Sequence, residues 1–105
     1  MNRGEFCENL VAQYFIQKGL TLLAQRRKIA KVEVDLVFES KPGQVIICEV
    51  KSVSSWEGFV QTRISFKQRQ RLERVVEYLN ASGCVATLIF ALVDNQNKIE
   101  IVGAG

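Results

Sequence analysis

Val45-Ile46-Ile47-Cys48-Glu49-Val50-Lys51 is an apolar run that ends on an acid and a lysine. Four apolar residues after a Pro42-Gly43 turn signal predict a strand over 44–51, with both sides of the run buried. Residues two apart in a strand point to the same face, so Glu49 and Lys51 share theirs with Val45 and Ile47. Two charges are thus carried to the edge of a hydrophobic core, where they need a partner, a metal or a chemical role. The triplet alone says little: composition produces an acid-x-Lys about once per chain of this length. A second copy, Glu39-Ser40-Lys41, runs straight into the Pro42-Gly43 turn, where its charges read as solvated. Context separates the two.

Upstream, residues 20–29 and 32–39 read as two strands with a tight link around Ala30-Lys31. In the second, alternation turns Val32, Val34, Leu36 and Phe38 to one face and Glu33, Asp35 and Val37 to the other. Asp35 lies in mid-strand, where aspartate is disfavoured. Before these strands, Phe6, Leu10, Val11, Tyr14 and Phe15 recur at helical spacing over 4–18, and Gly19 supplies a stop. Glu8 lies on the apolar side of that helix, which also suits a first-turn acid favoured by the helix dipole.

Downstream, a polar and aromatic loop from Ser52 to Arg63 carries Trp56 and Phe59, either of which suits stacking on an unpaired base or packing on the rim. Ser65-x-x-Gln68 has the form of a capping box opening a helix to about Asn80. Its stripe is Leu72, Val75, Val76 and Leu79, extended towards the helix start by Gln68, while Lys67, Arg71 and Arg74 share another side. Val85 to Val93 is a buried-type strand, and Asp94 to Asn97 turns it into a last strand, 98–102. The expected architecture is α/β: one domain over 1–105, a mixed five-stranded sheet flanked by helices, in the order α-β-β-β-α-β-β.

Composition narrows the chemistry. A chain of 105 residues, 48% hydrophobic and 24% charged, is that of an ordinary globule. No apolar run approaches a membrane span, and the start lacks a signal-peptide layout, so a cytoplasmic location and no membrane partner are expected. Cys7, Cys48 and Cys84 are scattered and set among apolar residues, which reads as reduced core cysteine. There is no histidine, which excludes His-based triads and imidazole zinc sites. Catalysis would have to rest on carboxylates, lysine, hydroxyls or a hard metal bound through oxygen. Arg26, Arg27, Lys28 and Lys31 form one basic cluster, and Arg63, Lys67, Arg69, Arg71 and Arg74 another; together they hold nine of the fourteen basic residues. Two basic zones on a chain of net charge +3 suggest a polyanion footprint, or else solvated faces.

Glu8, Glu33, Asp35, Glu49 and Lys51 are candidates to meet, since strands adjacent in sequence usually pair. Two carboxylates held close repel unless a cation or a proton intervenes. Mg²⁺ or Mn²⁺, bound by carboxylates, water and a main-chain carbonyl, would meet that need and offset charge on a phosphate, with Lys51 orienting water or steadying the transition state. A structural Asp35–Lys51 or Glu49–Lys51 ion pair is the alternative.

The whole chain resembles the YraN-like family of small bacterial proteins, in the PD-(D/E)xK nuclease superfamily. The resemblance is carried by Glu8, Ala12, Tyr14, Phe15, Lys18 and Gly19; by Val32-Glu33-Val34-Asp35-Leu36; by Ile47-Cys48-Glu49-Val50-Lys51; and by Lys67-Gln68 through Arg71-Leu72 with Tyr78-Leu79. It departs at Val32, where the family has glycine, at Ser52-Val53 in place of Thr-Arg, and at Ala91 in place of an aspartate. The resemblance implies a restriction-endonuclease-like core and a metal held by Asp35, Glu49 and the Val50 carbonyl. Lys51 would assist attack by water, Glu8 would be the accessory helix acid, and Gln68 would complete the site. Glu49-Val50-Lys51-Ser52 is similar also to archaeal Holliday-junction resolvases, which implies branched or junction DNA as substrate and a homodimer to make two symmetric cuts. Arg26, Arg27, Lys28, Lys31, Arg63, Lys67, Arg71 and Arg74 would grip phosphates. A catalytically silent nucleic-acid-binding or adaptor domain on the same fold is the competing expectation.

Overall fold

The computed structural model describes residues 1–53 and 65–103. Helix α1 (Arg3–Gln17) is followed by strands β1 (Thr21–Ile29), β2 (Val32–Lys41) and β3 (Gln44–Ser52), helix α2 (Phe66–Ala81), and strands β4 (Val85–Val93) and β5 (Ile99–Gly103). The five strands form one sheet in sequential order: β1 to β3 are an antiparallel meander, β3 and β4 run parallel across the α2 crossover, and β5 returns antiparallel. The expected α/β architecture and element order are therefore observed, in an arrangement consistent with a restriction-endonuclease-like fold.

Each helix covers one face of the sheet. Cys7, Val11, Ala12 and Phe15 of α1 pack with Leu36, Phe38, Cys48, Ala91 and Val93. Leu72 and Val75 of α2 pack with Val34, Val37, Val45, Ile47, Leu88 and Phe90. Phe6, expected in the α1 stripe, is 37% exposed instead, with the Arg3 guanidinium 5.5 Å from its ring centre. The buried ridge starts one residue later, at Cys7. Cys7 and Cys48 are buried, Cys84 is half-buried, and all three are free thiols. No described helix is long and apolar enough to cross a membrane.

Local chemistry sets the helix ends. Asn2 caps α1 by accepting the Glu5 N–H at 2.8 Å, and Ser65 caps α2 by accepting the Gln68 N–H at 3.1 Å. Both helices end in the same motif: the Leu20 N–H donates to the Phe15 carbonyl and the Cys84 N–H to that of Leu79, around Gly19 and Gly83 at φ +95° and +99°. Gly83→Ala should therefore destabilise by about 1 kcal/mol, through backbone strain, since nothing stands within 4 Å of an added Cβ. Urea unfolding checks this; an unchanged midpoint would contradict it.

The decoy triplet behaves as expected of a turn. The Glu39 carboxylate accepts the Gly43 N–H at 3.3 Å, and Lys41 and Gln44 close the hairpin.

Candidate active site

The site lies where β2 and β3 part. Their ladder runs from Lys41↔Gln44 to Leu36↔Cys48 and stops there. The next rung would set Asp35 opposite Glu49. Instead, Asp35 Oδ2 accepts the Val50 N–H at 2.9 Å, replacing the main-chain acceptor that the departing strand no longer offers. A mid-strand aspartate is thereby accounted for: it closes the end of the ladder and holds its carboxylate beside Glu49.

The parting also overturns one expectation. Strict alternation placed Val32, Val34, Leu36 and Phe38 on one face, yet Val34 packs under α2 and Leu36 and Phe38 under α1. The strand turns over at Asp35, so that Val34 and Val37 share a face. Across the β1–β2 ladder, between the rungs Gln25↔Leu36 and Arg27↔Val34, stands Arg26 at φ 50°. A left-handed residue on one strand faces the twist in the other. Gln25 and Arg26, although consecutive, both reach α1, Gln25 donating to Asn9 Oδ1 at 3.5 Å and Arg26 to Glu8 Oε1 at 3.0 Å.

Glu49 is the one charged or polar residue in the buried class among the described residues, at 7% exposure. Its Oε2 accepts from the Gln68 side-chain amide at 2.8 Å, and its Oε1 is buried without a hydrogen-bond partner. The capping box is thus half formed: Ser65 caps the helix, while the Gln68 side chain is turned to Glu49. Burial first, then the nearby Asp35 carboxylate, pushes the Glu49 carboxyl up to about 8, against the opposing pull of the Gln68 amide and the Lys51 charge. Burial also drives the neighbouring Cys48 thiol well up, leaving it an inert core group. Lys51 follows on the same strand, half-buried and close enough for its charge to act on Glu49.

This donor set fits a hard divalent ion. Two carboxyl groups this close, with one oxygen buried and unpartnered, call for a proton or a cation between them. The described residues contain no group of three or more His, Cys, Asp or Glu side chains suited to a metal. Two carboxylates would suit Mg²⁺ or Mn²⁺, which keep several waters, better than an ion that needs an all-protein cage.

The basic residues divide. Lys31 and Arg71 line a cavity of about 260 Å³ with Glu33, Glu49, Ser65 and Gln68, so the α2 side of the acids is flanked by cations. Lys31 is held there by the hairpin turn, in which Ala30 and Lys31 have φ 51° and 68°, the positive pair of a type I′ turn. Arg26 lies on the α1 side, half-exposed, its charge held on by Glu8 first and by Asp35 last among its neighbours. Arg27 and Lys28 line a different hollow with Leu23 and Tyr78, away from the acids. Lys67 and Arg74 are exposed on α2. Trp56, Phe59 and Arg63 lie outside the described residues. Glu8, 14% exposed at its side chain, bonds Arg26 and lines a second cavity of about 220 Å³ with Glu5, Asn9 and Gln25.

Sequence reasoning missed the left-handed Arg26, because arginine carries no signal for that conformation. It also missed Arg3, which ties α1 to the β4–β5 turn by donating to the Asp94 carbonyl at 2.7 Å and Asn97 Oδ1 at 3.2 Å.

The fold and its splayed pair of acids define the class: a small α/β protein with a mixed sheet and a carboxylate site at the parting of two strands. The chain belongs to the Uncharacterised protein family UPF0102, whose model matches residues 7–102, and the YraN-like resemblance holds at that level. It is 29% identical over 77 residues to a UPF0102 protein of Clostridioides difficile (strain 630), an alignment covering 72% of this chain and 67% of that protein. It is 35% identical over 78 residues to a UPF0102 protein of Synechococcus sp. (strain JA-3-3Ab), covering 72% of this chain and 59% of that protein. The chain thus spans roughly three fifths to two thirds of these relatives.

Proposed function

We propose that this protein is a divalent-metal-dependent nuclease of the PD-(D/E)xK superfamily that hydrolyses DNA phosphodiester bonds, with branched or four-way junction DNA as its substrate. The observation that carries the reading is Glu49: buried, with one orphaned oxygen, opposite Asp35 where two strands part, and two residues before Lys51.

In this reading Asp35 and Glu49 hold the ion, Mg²⁺ or Mn²⁺, together with the Val50 carbonyl. The bound ion would supply Lewis acidity towards water and a phosphate oxygen. The protein's own groups do the rest. The Val50 N–H fixes Asp35, and the Gln68 amide fixes Glu49, so neither carboxylate needs to reorganise as charge develops. Lys51, sharing the face of Glu49, orients the attacking water and steadies negative charge on the phosphoryl oxygens. Lys31 and Arg71 flank the acids and would take backbone phosphates, with Lys67 and Arg74 on the same helix as Arg71. Junction DNA carries two symmetric cut sites, so a pair of chains acting together is the matching assembly.

The test is direct. The purified chain is incubated at low salt with linear, flapped and four-way DNA, in Mg²⁺, Mn²⁺ or EDTA. Cutting that needs the metal and favours the branched substrates is expected. Tight binding without cutting under every condition would instead identify a silent nucleic-acid-binding or adaptor domain.

A further inference from the structure

We infer that Glu8 is not a metal ligand but a positioning residue, which aims Arg26 at the substrate phosphate on the α1 side of the acids. The inference rests on the nuclease reading and sharpens it, because it assigns the accessory helix acid a partner within the chain.

Three observations carry it. First, Glu8 is already engaged: its Oε1 accepts from Arg26 Nε at 3.0 Å, and no other cation is bonded to it among the described residues. Second, the pair is lopsided. The Glu8 side chain is 14% exposed and that of Arg26 47%, so the carboxylate faces inward and the guanidinium outward. Nε is used for Glu8, while the terminal nitrogens make no other hydrogen bond to the described residues. Those nitrogens form the planar edge that binds phosphate in a fork. Third, the backbone is bent to place them. Arg26 adopts φ 50° at the rung facing Asp35, and this turn brings its side chain to α1 beside that of Gln25. A half-exposed ion pair adds little to stability, and left-handed arginine is strained, so the fold itself gains little from the arrangement. Strain of this kind gathers where a side chain must be aimed. With Lys31 and Arg71 on the α2 side, Arg26 gives the acids a cation on each flank.

Sign distinguishes this role from the alternatives. Glu8→Gln removes a negative charge, and electrostatics alone then predicts tighter binding to DNA. A positioning role predicts the reverse. The experiment measures binding of fluorescent four-way junction DNA in Ca²⁺ across a salt series, for wild type, E8Q, R26A, R26K and E8Q/R26A. Mn²⁺ affinity and thermal midpoint are recorded for each.

R26A should weaken binding about tenfold and lower the salt slope by about one phosphate contact. E8Q should weaken it about fivefold, the guanidinium being charged but no longer aimed. In the R26A background the same E8Q change should tighten binding, since only its charge then matters. R26K should fall near R26A, because a lysine offers no fork. Mn²⁺ affinity should be unchanged in E8Q. Tighter junction binding by E8Q in the wild-type background overturns the inference, as does a fall in its Mn²⁺ affinity. Either leaves the nuclease reading standing, whereas failure of the wild type to bind junction DNA removes both.

Discussion

Asp35→Asn should abolish metal-dependent cutting, with a loss of at least about a thousandfold, while the protein stays folded. The amide oxygen of asparagine can still accept the Val50 N–H that Asp35 takes at 2.9 Å, so the closure of the β2–β3 ladder survives. What goes is the charge. Glu49→Gln should be equally inactive, because Gln68 bonds Oε2 and the unpartnered Oε1 is the atom offered to an ion. Lys51→Ala should lower the rate about a hundred- to a thousandfold with smaller effects on DNA binding, since its proposed interaction strengthens as phosphoryl charge develops. Lys41→Ala, in the decoy triplet, should leave the rate as it is. Single-turnover cutting of a labelled junction in Mn²⁺ measures all four. Comparable rates in wild type and Asp35→Asn would sink the assignment of the site.

Legibility divided along physical lines. Element order and sheet topology followed from hydrophobic period and turn residues, because a run such as Val85 to Val93 and stops such as Gly19 and Gly83 report burial and backbone directly. Asp35 and Glu49 were visible as acids in apolar strands. That they meet follows from the pairing of adjacent strands; how they meet does not, because it depends on the ladder ending at Leu36↔Cys48, an event without a residue signature. Alternation failed at the same place, turning Val34 to the face opposite Leu36. Spacing marks Gln68 both as a cap and as part of the stripe; only the packed helix shows its side chain engaged by Glu49. Helical spacing marks Glu8 as an inward acid, but its tie to Arg26 requires the left-handed turn of an arginine, against local preference. Local rules thus held in most of the scaffold, Phe6 aside, and broke around the candidate site.

The second large effect is on stability. Without metal, Glu49 holds its proton up to about 8, against a normal value near 4.5. Between those values the folded chain binds one proton more than the unfolded chain, so stability falls as pH rises. The contribution is fully present below the unfolded value and is lost as pH climbs through the folded one. Its size is on the order of 3 kcal/mol once partial solvent access is allowed for. Glu49→Gln is neutral at every pH and keeps the shape. It should match the wild type near pH 5 and exceed it by about that amount at pH 9, a gain of roughly 10–20 °C in thermal midpoint for a domain of this size. The more stable variant would then be the inactive one, as expected when a site is held short of positive charge for a ligand to supply. Mg²⁺ or Mn²⁺ at a hundredfold excess over its Kd should restore about 2.7 kcal/mol to the wild type, more readily at pH 8.5 than at pH 6, because the ion must displace the Glu49 proton. Neither Asp35→Asn nor Glu49→Gln should respond to the same extent. Calorimetry of the three proteins over pH 5–9, with and without the ion, reads both effects; a wild-type minus Glu49→Gln difference that does not vary with pH would rule out the buried charge as its source.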